Sequence, residues 1–182
     1  EGTVYEGAVV DGQLQGQGRL ETPDGLIYEG EWSNSQMNGT GRQVHPNGDI
    51  YEGELKETRR HGHGKMTYAN GDIYIGTFVD DQRHGTGTIT EKDGYSYTGD
   101  WAQGQIEGMG KMTYPDGSVY EGAFRDDLPE GKGKITYPDG STYEGDWVAG
   151  VIEGEGTATY PSGITYTGGF KNAKNHGQGV MT

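Results

Sequence analysis

The sequence has no cysteine, few prolines and a small aliphatic fraction, and each scarcity removes a class of protein. Without cysteine there is no disulfide scaffold and no thiolate chemistry, and the redox compartment is left open. Lys and Arg number 14 against 28 Asp and Glu, a formal charge of -14. Nucleic acid and anionic membranes both select clustered cations, so nucleic acid is excluded as a partner, anionic lipid is disfavoured, and basic or neutral partners are favoured. No apolar run approaches the roughly 18 residues that a membrane span needs. A hydrophobic fraction of 30% over 182 residues argues against a thick core.

What the chain has instead is glycine, 36 residues of it, held in frame. Tyrosine stands at 5, 28, 51, 74, 97, 120, 143 and 166, a period of 23 residues without insertion or deletion. Thirty-two of the 36 glycines fall in four columns of that repeat, leaving Gly12, Gly104, Gly150 and Gly169 outside. A flexible linker has no reason to keep such a frame, so these glycines are placed for geometry. A fixed period of this size marks a repeat architecture in which one copy cannot bury its apolar face alone.

Within a copy, alternation runs from Tyr143 through Gly145 to Trp147 on one face, with Glu144 and Asp146 on the other. After a loop of about six residues a second alternating run, Gly154 to Tyr160, closes a β-hairpin. Copies are joined by Pro115-Asp116-Gly117, Pro138-Asp139-Gly140 or variants such as Pro46-Asn47-Gly48. Pro presets the first turn dihedral and Gly takes the left-handed position that closes a three-residue hairpin loop. Counting across Pro-Asp-Gly sets Tyr114 opposite Ser118, Met112 opposite Tyr120, Gly110 opposite Gly122 and Gly108 opposite Phe124. Counting across the longer loop sets Tyr97 opposite Met112, Gly99 opposite Gly110 and Trp101 opposite Gly108. The expected fold is all-β: an elongated single antiparallel meander of about eight 23-residue hairpin repeats, twisted or curled into a trough. Glycine rows let rings lie flat on bare backbone and let the sheet bend. Residues 1–182 form a single array. Because it begins at Glu1 and stops at Met181-Thr182, short of an eighth Pro-Asp-Gly turn, it reads as a piece of a longer protein.

Tyr-x-Gly-x-Trp/Phe, a spacer, Gly-x-Gly-x-apolar and Pro-Asp/Asn-Gly at this period resemble the MORN repeat (membrane occupation and recognition nexus). Tyr97, Gly99, Trp101, Gly104, Gly108 and Gly110 illustrate the likeness in one copy, and Tyr143, Gly145, Trp147, Gly150, Gly154 and Gly156 in another. The resemblance implies an accessory module that binds proteins, dimerises or associates with phospholipid, without catalytic residues of its own.

The leading expectation is therefore a noncatalytic protein-binding or assembly scaffold with no cofactor. The alternatives are a phospholipid-binding or membrane-association module, a rigid spacer and a glycan-binding repeat. Candidate partner-binding residues are the trough rings Tyr28, Trp32, Tyr51, Tyr74, Phe78, Tyr97, Trp101, Tyr120, Phe124, Tyr143 and Trp147, which would seat a peptide or helix and also form the core. The loop rim runs from Arg60, His61, Arg83 and His84 to Glu107, Glu130 and Glu153, changing sign along the array. Gln178, Gly179 and Val180 carry no charge and offer an edge for self-association, whereas the first strand is defended by Glu1 and Glu6. A metal reading of His61, His63 and His84 is set aside, because His61 and His84 lie one repeat, about 10 Å, apart. Gly-x-Gly steps are explained by the period, and no P-loop or Gly-x-Ser-x-Gly elbow occurs. The localisation expected is a soluble stretch of a cytoplasmic or membrane-peripheral parent.

Overall fold

The computed structural model describes residues 2–182 and is all-β, with sixteen antiparallel strands that follow chain order in an open sheet. Contacts divide the chain into two compact units on either side of the Lys92–Asp93 peptide. The first unit holds β1 (Val4–Val10), β2 (Gln13–Glu21), β3 (Ile27–Ser33), β4 (Gln36–Val44), β5 (Ile50–Lys56), β6 (Arg59–Thr67), β7 (Ile73–Val79) and β8 (Gln82–Thr90). The second holds β9 (Ser96–Ala102), β10 (Gln105–Thr113), β11 (Val119–Arg125), β12 (Leu128–Thr136), β13 (Thr142–Val148), β14 (Val151–Thr159), β15 (Thr165–Lys171) and β16 (Lys174–Met181).

The Pro-Asp-Gly links are three-residue hairpin loops, as their composition predicts. Tyr114 N–H donates to Ser118 O at 2.8 Å, Gly117 N–H donates to Tyr114 O at 2.9 Å, and Gly117 takes φ +92°. The pairs Met112–Tyr120, Gly110–Gly122 and Gly108–Phe124 follow in register.

The other link corrects the expected pairing. Between β9 and β10 there is no six-residue loop but a two-residue turn, Gln103-Gly104, with both residues left-handed (φ 51° and 83°). That is the backbone of a type I′ hairpin turn, whose twist matches that of the strands. Trp101 consequently faces Ile106 rather than Gly108, and register is restored at Gly99–Gly110 by a bulge on β10. The same shift recurs in the other hairpins, for example at Trp32–Met37 and Trp147–Ile152.

The bulge leaves backbone groups without ladder partners, and they must be satisfied otherwise. The tyrosine that opens each copy does half of this. Its hydroxyl donates to the carbonyl three residues on: Tyr28 to Glu31, Tyr97 to Asp100 and Tyr143 to Asp146, at 2.6, 2.8 and 2.8 Å. The acid at that position does the other half, since Asp100 Oδ2 accepts from Met109 N–H and Asp146 Oδ2 from Glu155 N–H, each at 2.9 Å.

The core is one face of the sheet. Each tyrosine ring lies over the glycine of the following strand, so that a Cβ on Gly64 would strike Tyr51 and one on Gly110 would strike Tyr97. Neighbouring rings meet edge to face: Tyr51 and Tyr74 on Phe78 at 5.3 and 5.1 Å, and Tyr120 and Tyr143 on Trp147 at 5.1 and 5.6 Å. Burying rings against bare backbone and each other stabilises a sheet that has no second layer. Gln43, a polar residue in the Met/Ile row, is buried and donates its amide to Met37 Sδ at 3.2 Å.

Candidate functional site

All eleven rings named as trough residues are buried, at 0 to 6% exposure. They are the core that the repeat builds. What meets solvent on this face is the column just before each turn between copies, which reads Thr22, His45, Tyr68 and Glu91 in the first unit and Tyr114, Tyr137 and Tyr160 in the second. Sequence reasoning put Tyr160 on this face but did not single out the column.

The rim residues lie on the second strands of the hairpins, next to the two-residue turns. In the first unit Arg60 lies 5.8 Å from the Phe78 ring centre. One of its terminal nitrogens donates to Asp81 O at 2.9 Å, and its Nε pairs with the Asp81 carboxylate at 3.4 Å without forming a hydrogen bond. Arg83 lies 5.8 Å over the Tyr74 ring. His61 and His84 are half-buried in β6 and β8. Burial, and then the Arg60 charge, hold the His45 imidazole below its ordinary pKa. In the second unit the rim glutamates tie successive turns together: Glu107 accepts from Asp126 N–H at 3.1 Å, Glu130 from Ala149 N–H at 2.6 Å and Glu153 from Asn172 N–H at 3.2 Å. Among the described residues no three His, Asp or Glu side chains converge as a metal site. Gln178, Gly179 and Val180 lie in β16, which pairs with β15 and is exposed along its length. Glu6 lies in β1, whereas Glu1 falls outside the described residues.

The second unit carries a cleft of about 390 Å³ lined by Tyr95, Tyr114, Pro115, Asp116, Ser118, Ile135 and Tyr137. Tyr95 and Tyr114 meet edge to face at 5.7 Å. Tyr95 is 37% exposed, and Tyr114 and Tyr137 are half-buried, so the rings present area that the buried row does not. A second depression of about 150 Å³ shares Tyr137 and is lined in addition by Ile152, Ala158, Tyr160 and Phe170. It exists because Ala158 stands in the row that Met112 and Ile135 fill in earlier copies.

Desolvation pushes the Tyr114 and Tyr137 phenols above their ordinary pKa, so both stay protonated donors at neutral pH. Asp116 is held low by the Ser118 N–H that it accepts, and Asp139 by the Ser141 hydroxyl. The arrangement offers ring faces, phenolic donors and an anionic border. That chemistry suits binding.

The MORN repeat profile matches residues 5–27, 28–50, 51–73, 74–94, 97–119, 120–142, 143–165 and 166–182. The chain belongs to the MORN repeat family. Each match but the shortened fourth and last spans a full MORN period, and all eight begin at the tyrosine that is the second residue of an odd-numbered strand. Among curated proteins none matches this MORN array. Solved structures do. The TCP domain of SAS-4 (dCPAP) from Drosophila melanogaster, in complex with a proline-rich motif of Ana2 (dSTIL), is 18% identical with a TM-score of 0.51, covering 86% of this chain and 85% of that one. The TCP10c domain of Drosophila melanogaster Sas-4 is 16% identical with a TM-score of 0.47, covering 82% and 90%. At such identity the likeness is one of fold.

Proposed function

We propose that this MORN array is a noncatalytic protein-binding module, and that its second unit seats a peptide in the tyrosine-lined cleft. The observation that carries the reading is the half-open row Tyr95, Tyr114 and Tyr137 around a cleft of about 390 Å³, on a face where the repeat's own rings from Tyr28 to Trp147 are buried. Clefts lined by aromatic groups with a few placed donors are where proteins hold peptides. The shared fold with the SAS-4 domain, solved with a segment of another protein bound, supports the reading. Ring faces supply contact area at low entropic cost, and the acidic border selects neutral or basic chains.

Display of random peptides on the intact chain, with removal of those that also bind a Tyr114→Ala/Tyr137→Ala variant, tests this. Peptides that bind the wild type and lose about tenfold or more in the variant are expected, as befits aromatic anchors. Enrichment of nothing above background, or of peptides that bind the variant equally, would overturn it.

A further inference from the structure

The cleft repeats, and its pitch is informative. Tyr114, Tyr137 and Tyr160 stand at the same position of three successive copies, each copy two strands wide. Two strand spacings advance about 9.6 Å across a sheet. A polyproline II helix advances about 9.3 Å in its three-residue turn. A segment in that conformation, laid across the strands, therefore returns to an equivalent position at every copy and drifts only about 0.6 Å between Tyr114 and Tyr160. Seven residues of α-helix advance about 10.5 Å and drift about three times as far over the same span.

The chemistry along the row agrees with the pitch. Tyr95 and Tyr114, in edge-to-face contact at 5.7 Å, form one aromatic wall, and the slot beside it is lined by Tyr137, Pro115 and Ile135. Flat pyrrolidine rings fit such slots, and polyproline II presents carbonyls that no internal hydrogen bond occupies. Phenolic hydroxyls of Tyr114 and Tyr137 are donors for those carbonyls. The Ser118 hydroxyl is buried in the same wall, at 3% exposure, without a well-formed hydrogen bond, although it stands near enough to Asp116 to help hold that carboxylate low. Asp116 and Asp139 border the row one copy apart. Lys111, Lys132 and Lys134 lie instead on the opposite, charged face, where Lys111 pairs with Glu121 and Lys132 with Asp146. The border is thus anionic, and the complementary ligand is cationic.

Resting on the reading of the cleft as a peptide site, we infer that its occupant is an extended proline-rich segment in the polyproline II conformation. The segment runs across the strands past Tyr114, Tyr137 and Tyr160. It places a proline at every third residue in the tyrosine row and Lys or Arg beside Asp116 and Asp139.

The test is fluorescence anisotropy on the intact chain with three labelled peptides of about twelve residues and identical charge. The first has proline at every third position, the second has the same composition with its prolines clustered, and the third replaces proline by alanine to favour helix. The first peptide is expected to bind at least about tenfold tighter than the other two. Tyr137→Ala should abolish that preference, and Tyr137→Phe should retain most of it by keeping the ring. Circular dichroism of both variants reports whether the sheet is intact, and a Tyr160→Ala variant repeats the test should Tyr137→Ala fail to fold. Equal binding of the first two peptides would overturn the inference. Preferential binding of the alanine peptide, lost in Tyr137→Ala, would also overturn it while leaving the peptide site standing. Binding of none of the three, with no peptide selected by display, would end both.

Discussion

The two units use one scaffold and present different faces. In both, a tyrosine lies on glycine, donates to a bulge carbonyl and meets Trp or Phe edge to face: Tyr51 on Gly64 with Phe78 in the first, Tyr97 on Gly110 with Phe124 in the second. Outside that row they diverge. The second position after the I′ turn holds Leu14 and Met37 and then Arg60 and Arg83 in the first unit, and Ile106, Pro129, Ile152 and Asn175 in the second, so arginine there is confined to the first. The column before the turn between copies holds Thr22, His45, Tyr68 and Glu91 in one and Tyr114, Tyr137 and Tyr160 in the other. Residues that make the fold recur, and residues that make a surface do not. In a repeat protein the period identifies the scaffold, and departures from it are where function is written.

The sharpest way to break this comparison is to attack the scaffold at matched positions. Gly64→Val in the first unit and Gly110→Val in the second each drive a branched side chain into a tyrosine ring. Both should destabilise by about 3 kcal/mol or more, the range of overpacking with displaced rings, whereas Glu121→Ala on the charged face should stay within about 0.5 kcal/mol. Urea denaturation measures all three. A Gly110→Val loss no larger than that of Glu121→Ala would refute the assignment of faces, and a large difference between the two glycines would refute the shared scaffold.

Alkaline pH is the next lever. Burial pushes Tyr28 and Tyr74 in the first unit, and Tyr120 and Tyr143 in the second, up to about 12 from the ordinary value of 10.0. A raised phenol pKa means that the folded state prefers the neutral form. Its contribution is complete below pH 10 and is lost as pH rises from there through about 12. Phenolate absorbance from the buried row should therefore grow together with loss of the sheet signal in circular dichroism, and in one window for both units. Ionisation of the whole row with the sheet intact would show that the rings are more open than the structure has them.

Much of this was legible in the sequence because Pro-Asp-Gly and the Tyr–Gly alternation each have only one good backbone solution. Every pair counted across Pro115-Asp116-Gly117 stands in the structure. The other hairpin was misread for a chemical reason. Type I′ turns are announced by Asn-Gly or Asp-Gly, and here the same turn is made by Asn34-Ser35, Glu57-Thr58 and Ala149-Gly150. The clue was the glycines outside the columns, since Gly12, Gly104 and Gly150 all take the second turn position. The error did not disturb the faces, because the bulge adds two residues, and a shift of two keeps every side chain on its side. The open tyrosine row was harder to read. Alternation places Tyr114 and Tyr120 on one face alike, but which ring is covered depends on neighbours in the next copy. Tyr120 meets both Phe124 and Trp147, while Tyr114 looks onto Ser118.

A smaller effect separates copies within the second unit. Asp100 and Asp146 accept the bulge N–H, but the equivalent residue of the intervening copy is Ala123. Asp100→Ala should cost about 1 to 2 kcal/mol, the worth of a hydrogen bond to a charged acceptor at a partly exposed site. Ala123→Asp should return up to about 1 kcal/mol by supplying the acceptor to Lys132 N–H, with the Lys132 ammonium near by to offset the added charge. Denaturation midpoints at neutral pH measure both substitutions. An Asp100→Ala variant as stable as the wild type, or an Ala123→Asp variant less stable than it, would contradict this account of the bulge.

The smallest expected effect is none at all, and it concerns lipid. Anionic vesicles repel a chain with a formal charge of -14, and basic residues oppose that repulsion only where they are clustered and unpaired. The first unit is where such a cluster would lie, with Arg59, Arg60 and Arg83 close in sequence to its turns. Yet Arg59 pairs with Asp80 at 3.8 Å, and Arg60 is held by Asp81 on one side and the Phe78 ring on the other. Releasing them would forfeit those contacts before any headgroup was gained. Sedimentation with phosphatidic acid vesicles at physiological salt should therefore leave the wild type in the supernatant, and Arg60→Ala/Arg83→Ala should behave identically. Strong pelleting that this double substitution removes would make the first unit a lipid-facing surface. The contrast between the units would then be one of two binding faces rather than of a binding face and a plain one.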